Sequence, residues 1–232
     1  MMSEEGRAIN ASVLTRVPLL ADLPTEELDA LAARLKPLRH AKGDVIFRRG
    51  DPGSSLYIIE AGLVNITLSS RAGQQMILAR MGSGDLFGEM ALLDGEPRSA
   101  NAIAAEPCQF LLLERDDFIS FLEARPKIAI RMLIILGRRL RQGDEIVQDA
   151  AFLDVPARLA RIILQLADTA GQPSEDGIVI GPLAQTELGG MVGARRETVN
   201  KWMKFYERRG LIRSERGRIT VLKPDGLRKR IY

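Results

Sequence analysis

Residues 43–62, "GDVIFRRGDPGSSLYIIEAG", decide how the rest of the chain reads. Val45 and Phe47 stand two apart, as do Leu56 and Ile58, and two is the side-chain period of a strand. The run between them, "RRGDPGSS", is built from turn formers. The same period continues outward at Val64, Ile66 and Leu68 and at Met76 and Leu78, with further breaks at "SSRAGQQ" and "MGSGD". Regular turn signals with no helix between them predict short antiparallel strands of a sandwich or barrel, beginning at Asp44.

Helical periods flank this region. Residues 12–36 carry one, and "LPTEELDALAARL" offers Thr25 as N-cap with Glu26 and Glu27 in the first turn, where acids complement the helix dipole. The period returns near Asp116, and Lys127 to Leu153 reads as one long helix after Pro126. Within it Leu133, Leu136, Leu140, Gly143, Val147 and Ala150 follow a 3–4 spacing, which suits either a seam with a second copy or packing on the chain's own sheet. Gly143 costs about 1 kcal/mol relative to alanine inside a helix, so something there needs room.

"FLDVPARLA" ends one helix and starts another, with Asp154 as N-cap and Pro156 in the first turn, a hinge candidate. Then come a helix through "ARLARIILQLADTAG" and a polar loop, "GQPSEDG". In "AQTELGGMVGARRETVNKWMKFYERRGLI" a short helix, a turn at Gly193 and a second helix follow one another, and "LIRSERGRITVL" is a hairpin turning near Glu215 to Gly217. The expected architecture is α+β in three parts: an N-terminal β domain over 12–125, a central helix over 126–153 and a C-terminal domain over 154–232.

A composition of 46% hydrophobic and 27% charged residues fits a soluble globular protein. One cysteine, Cys108, can make neither an internal disulfide nor an iron–sulfur cluster; it reads as a small buried hydrophobe in a reducing cytoplasm. The opening "MMSEEGRAIN" lacks the apolar core of a signal peptide, and no run is long enough to cross a membrane. The net charge of +3 hides an asymmetry, because residues 1–155 hold 18 Lys and Arg against 22 Asp and Glu, whereas residues 156–232 hold 15 against 8. A basic small domain behind a mildly acidic larger one points to a nucleic-acid reader governed by something else. No nucleophile–base pair with an orienting third group and no His/Cys metal spacing can be assembled, so neither catalysis nor a metal is expected.

Two stretches carry the chemistry. In "FGEMALLDGEPRSA", residues 87–100, a Gly88–Glu89 step, an Asp94–Gly95 turn and then Arg98 and Ser99 supply backbone N–H groups, a hydroxyl and one fork-shaped cation, the parts of an anion site. After the Gly193 turn, Arg195, Arg196, Glu197 and Lys201 lie near the front of the second helix, and Val199, Trp202 and Met203 largely face inward. Arginine forks fit guanine O6 and N7, and a carboxylate accepts from cytosine N4.

With these motifs in this order, the chain resembles the cyclic-AMP receptor protein and fumarate–nitrate regulator superfamily of bacterial transcription factors from about Val17 to Thr220. The resemblance rests on the stretch at 43–62, on "FGEMALLDGEPRSA", on "AFLDVPARLA" and on "VGARRETVNK". It implies an N-terminal antiparallel jelly-roll, a dimerising central helix and a C-terminal winged helix-turn-helix. In relatives that bind cyclic nucleotides the cassette holds the cyclic phosphate, which implies that Arg98 pairs with it and that Ser99 adds its hydroxyl and N–H. Glu89 would accept the ribose 2′-hydroxyl, Gly88 would let the backbone approach, and Met90 falls in the same cassette. Removal of Arg98 is then expected to weaken nucleotide binding and leave the fold intact.

By the same resemblance Gly143 and Asp144 stand where the cyclic-AMP receptor contacts adenine through threonine and serine. Asp144 can accept from the adenine amino group, yet guanine N1–H and 2-amino form the better bidentate match, so cyclic AMP leads on family frequency with cyclic GMP behind it. The alternative for Asp144 is a solvated helix residue paired with Arg141 or Gln148. Arg139 matches another pocket position, or is a surface arginine. Haem and iron–sulfur sensing do not fit a single cysteine and a single histidine, His40, placed before the sheet.

For DNA the candidate set is Gln185, Thr186, Arg195, Arg196, Glu197, Asn200 and Lys201. Ala184 stands where many relatives have a threonine cap that meets phosphate, and Lys201 stands where the cyclic-AMP receptor has arginine. The implied partners are a second copy, a palindromic operator with TGTGA-like half-sites, and RNA polymerase, as expected of a cytoplasmic activator. The alternative is a family regulator that binds DNA without nucleotide control, switched by redox state, a protein partner or abundance.

Overall fold

The first strand begins earlier than the alternation predicts. In the computed structural model, which describes residues 11–70 and 73–231, β1 is Lys36–His40, so His40 lies within the sheet. The N-terminal decapeptide and Arg71–Ala72 of the "SSRAGQQ" turn lie outside the described residues. Val45–Phe47 (β2), Ser55–Ala61 (β3), Val64–Ser69 (β4), Gln75–Met81 (β5), Leu86–Phe87 (β6), Asn101–Ala104 (β7) and Cys108–Glu114 (β8) complete two four-stranded sheets, ordered β1-β8-β3-β6 and β2-β7-β4-β5. The registered pairs are antiparallel, as between Leu56 and Leu113 or Ile66 and Ala102.

β3 is buried on both faces, which explains its unbroken apolar run. Leu56 and Ile58 join Leu14, Leu28, Leu31 and Phe118 in a core beneath one sheet, while Tyr57 and Ile59 join Val64, Phe87 and Phe110 in a second core. Cys108 is buried in that second core. The helix α1, Thr25–Ala32, is capped by Pro24 rather than Thr25: Pro24 holds ψ 148°, its carbonyl accepts from Glu27 N at 3.0 Å, and no side chain caps the helix. Proline's fixed φ places the bend one residue earlier than the threonine suggests.

The chain forms two units, one holding residues up to Leu68 with Ala79–Leu140, the other Ser69–Leu78 with Arg141–Tyr232. In the first, α2 (Glu89–Asp94) connects β6 to β7 and α3 (Arg115–Glu123) follows β8. α4 runs Pro126–Phe152. Ile128 and Met132 are buried in the first core, and Ile135 and Leu136 pack against it. At about 100° per residue, Leu136, Gly143 and Ala150 fall on the Met132 side of the helix. At the same pitch Leu133, Leu140, Val147 and Ala151 fall about 60–100° round from Met132 and Ile130, Gly137 and Asp144 about 120–160°; Leu133, Leu140 and Val147 are each about two-thirds exposed. The free stripe therefore shares Leu133, Leu140 and Val147 with the predicted seam and moves its other positions by one residue.

In the second unit α5 (Val155–Ala170) starts as expected: Asp154 accepts from Ala157 N at 2.9 Å and a proline opens the first turn. The predicted polar loop instead holds an edge strand, Gln172–Ser174 (β9), paired with Gly177–Ile180 (β10). α6 (Gln185–Val192) ends at Gly193, φ 68°, and α7 (Arg196–Arg208) follows. The hairpin Ile212–Glu215 (β11) and Arg218–Val221 (β12) joins the sheet in the order β11-β12-β10-β9, and Pro224–Arg228 (α8) closes the unit. Its core gathers Leu159, Ile163, Leu188, Val199, Met203 and Tyr206.

Candidate functional site

The anion motif folds around its arginine. Arg98 is 4% exposed; Nη1 donates to Gly88 O at 2.7 Å and Nη2 to Ser55 O at 2.8 Å, while Cζ lies 4.3 Å from the centre of the Phe47 ring. Its Nε is buried without an acceptor. Burial pulls the Arg98 pKa below its ordinary value, opposed by Tyr57, Glu89 and Asp51; a guanidinium nevertheless stays charged. Two glycines make room for it. A Cβ at Gly88, whose φ is +86°, would lie 2.6 Å from Arg98 Nη1, and one at Gly53 would lie 2.4 Å from the Ala91 Cβ and 3.1 Å from Arg98 Nε.

Glu89 is 3% exposed and bound by Arg139, whose Nη1 donates to Oε1 at 2.6 Å and Nη2 to Leu86 O at 2.5 Å. Arg139 is thus no free surface arginine. Ser99 is exposed with its hydroxyl 3.6 Å from Met90 Sδ. Gly88, Glu89, Met90, Arg98, Ser99 and Arg139 therefore form one cluster with one more cation than carboxylate, an unsatisfied buried N–H donor and an exposed hydroxyl that donates to Met90 Sδ. Such a cluster suits an anion that also carries a hydroxyl. Gly143 and Asp144 are exposed on α4; beyond the adjoining residues and the helix's own backbone, no atom among the described residues lies within 4 Å of a Cβ built at Gly143. Asp144 has no hydrogen bond or ion pair among the described residues, so the pairing with Arg141 or Gln148 is not formed. Sequence reasoning missed Gly53, Ser55 and Phe47; Phe47's inward place in the alternation was the available signal.

The helix-turn-helix separates its faces as its period requires. Val199 and Met203 are buried and Trp202 is half-buried, whereas Arg195, at the N-cap position, Arg196, Glu197 and Lys201 are exposed. None of these four forms an ion pair among the described residues. Asn200 is half-buried with Oδ1 enclosed and unpartnered. Gln185 and Thr186 are exposed in the first turn of α6, where Ala184 offers no cap and its N–H meets Glu187 Oε2 at 3.4 Å. Tyr206 donates to Pro156 O at 2.7 Å, and Arg158 donates to Leu153 O at 2.8 Å and to Val192 O at 3.0 Å, tying the start of α5 to α7, to the end of α4 and to α6. At the hairpin tip Arg216 is exposed with φ 49°. No helix among the described residues is long and apolar enough to cross a membrane, and among them no three His, Cys, Asp or Glu residues are grouped to hold a metal.

A β domain with a cassette for an anion, joined to a helix-turn-helix, defines a ligand-domain DNA-binding protein. Residues 37–125 match the cyclic nucleotide-binding domain family and residues 157–230 the Crp-like helix-turn-helix domain family. The chain is 34% identical over 219 residues to the CRP-like cAMP-activated global transcriptional regulator of Mycobacterium tuberculosis, covering 94% of this chain and 98% of that protein. It is 33% identical to the cyclic AMP receptor protein of Thermus thermophilus, covering 88% and 92%. A solved CRP-family transcriptional regulator, also from Thermus thermophilus, superposes with a TM-score of 0.70 at 27% identity, covering 84% and 96%. The chain belongs to the CRP/FNR superfamily of transcription regulators. Its relatives are regulators rather than enzymes, and its helix-turn-helix is a DNA-binding domain.

Proposed function

We propose that this protein is a homodimeric regulator whose affinity for a two-fold symmetric operator is raised by a cyclic nucleotide held at Arg98. The observation that carries the reading is the enclosed guanidinium with its unsatisfied Nε beside Glu89 and Arg139. A cyclic phosphodiester brings one negative charge, which matches the excess of one cation. Arg98 and the Ser99 hydroxyl take the phosphate, Glu89 accepts the ribose 2′-hydroxyl, Gly88 and Met90 form the wall of the cassette, and Arg139 holds Glu89 in place. Gly143 and Asp144 face the base. The names of the mycobacterial and Thermus relatives favour cyclic AMP, with cyclic GMP second on the chemistry of Asp144.

The β domain over 12–125 serves as sensor, the helix over 126–153 as dimer seam and residues 154–232 as reader. The exposed apolar stripe of α4 supports pairing with a second copy, in parallel, because both readers must meet one duplex. Arg195, Arg196, Glu197, Asn200 and Lys201 enter the major groove at TGTGA-like half-sites while Gln185 and Thr186 take phosphates. On a promoter the dimer acts as an activator that engages RNA polymerase. Calorimetric titration of the purified protein with cyclic AMP and cyclic GMP in parallel tests the ligand: saturable binding, tighter for cyclic AMP, is expected, and no heat from either overturns nucleotide control.

A further inference from the structure

The first turn of α2 sends two side chains different ways: Glu89 is buried against Arg139, whereas Met90 is 48% exposed. Met90 is the one exposed methionine among the described residues. Met81, Met132 and Met203 are buried, and Met76 and Met191 are partly buried. Its sulfur accepts from the Ser99 hydroxyl at 3.6 Å, the same hydroxyl assigned above to the phosphate. We propose that Met90 is an oxidation switch of the cassette: a peroxide converts its thioether to the sulfoxide, whose oxygen holds the Ser99 hydroxyl away from the cyclic phosphate and lowers the affinity for nucleotide. This inference rests on the nucleotide reading proposed above.

In the chemical step a lone pair of Met90 Sδ attacks one oxygen of hydrogen peroxide. The S–O bond forms as the O–O bond breaks, and the second oxygen leaves as water with both protons. Sulfur is oxidised by two electrons and the peroxide is reduced by two. A thioether is a weak acceptor, so the reduced cassette releases the Ser99 hydroxyl to a phosphate at little cost. The sulfoxide replaces it with a strongly polarised oxygen, and because the sulfur already touches the hydroxyl, that oxygen is added within its reach. The single cysteine does not compete for the oxidant. Cys108 is buried, its thiol donates to Glu106 O at 3.1 Å and Leu63 O at 3.3 Å, and burial pushes its pKa up, which withholds the reactive thiolate.

The test treats the full-length wild type, Met90→Leu and Ser99→Ala with hydrogen peroxide, maps sulfoxides by peptide mass spectrometry and titrates cyclic AMP by calorimetry. Each protein is compared with its own untreated sample, so the effect of the substitution itself cancels. Leucine roughly conserves the volume of methionine and has no sulfur to oxidise. In the wild type Met90 is expected to oxidise ahead of Met76 and Met191, and affinity to fall at least about tenfold, the loss of one hydrogen bond to a charged group. Treatment should change affinity by about twofold or less in Met90→Leu, and by about threefold or less in Ser99→Ala, where there is no hydroxyl to capture. Wild-type protein oxidised at Met90 that binds as before would overturn the switch, and so would oxidation of Met76 or Met191 ahead of Met90. A wild-type-sized loss in Met90→Leu would place the damage at another residue, and the same loss in Ser99→Ala would remove the hydroxyl from the device; either overturns it. Untreated wild type that takes up no cyclic AMP would overturn the nucleotide reading, and the switch with it.

Discussion

Replacing Arg98 with leucine separates two consequences of one buried cation. The guanidinium braces two backbone carbonyls, Gly88 O at 2.7 Å and Ser55 O at 2.8 Å, and each enclosed carbonyl that loses its donor costs about 1–3 kcal/mol. Part of this is offset, because a desolvated charge with an unsatisfied Nε is also removed and leucine keeps apolar contact with Phe47. A net loss of about 2–3 kcal/mol follows. At a urea slope of about 2 kcal/mol/M this lowers the midpoint by about 1 M. Urea unfolding followed by circular dichroism without nucleotide measures it, and a wild-type midpoint would refute the bracing role. The sequence alone leads one to expect an intact fold, and the two carbonyls add a stability cost to that expectation. In parallel, loss of one charge-assisted bond to phosphate, about 1.5–3 kcal/mol, should weaken cyclic AMP binding about 10- to 150-fold by calorimetry.

Three further substitutions probe other joints. Gly88→Ala places a Cβ 2.6 Å from Arg98 Nη1 at φ +86°, and the left-handed backbone alone costs about 1–2 kcal/mol, so the thermal midpoint should fall by several degrees; an unchanged melt contradicts the turn geometry. Asp154→Ala removes the bond from Ala157 N and should cost about 1 kcal/mol in urea unfolding, whereas no change would mean that the cap is idle. Arg196→Ala should cost about 1–3 kcal/mol of operator binding and relax preference at one guanine; a selected-site assay returning the wild-type motif contradicts direct readout there.

The elements most legible in the sequence were those whose period and termini agreed. Asp154 and Pro156 marked the start of α5 because a carboxylate cap and an N-terminal proline act locally. Gly193 and the hairpin at Arg216–Gly217 were legible for the same reason. β1 and β9 were hidden because they contribute little alternation: in β1 Leu38 is the residue that packs against the core between the sheets, and β9 is exposed throughout, so only pairing with β8 and β10 defines them. The α4 seam was half legible, since a 3–4 spacing through Leu133, Leu140 and Val147 admits two registers, and packing of Met132 and Leu136 on the core selects between them. In the cassette, residue types announced an anion site. Spacing could not reveal that Arg98 is already braced by Ser55 and Gly88 or that Arg139 reaches Glu89, because those contacts join positions about 10 to 50 residues apart.

Control of DNA binding by the nucleotide is tested most directly by operator affinity with and without saturating cyclic AMP, measured by fluorescence anisotropy on one palindromic duplex at one fixed salt concentration. The account predicts a gain of at least about tenfold with nucleotide, matched by an equal tightening of cyclic AMP when the operator is present, because coupling between two sites is reciprocal. Equal operator affinity with and without cyclic AMP, in a protein that binds the duplex specifically, would contradict it and leave a regulator that reads DNA without nucleotide control.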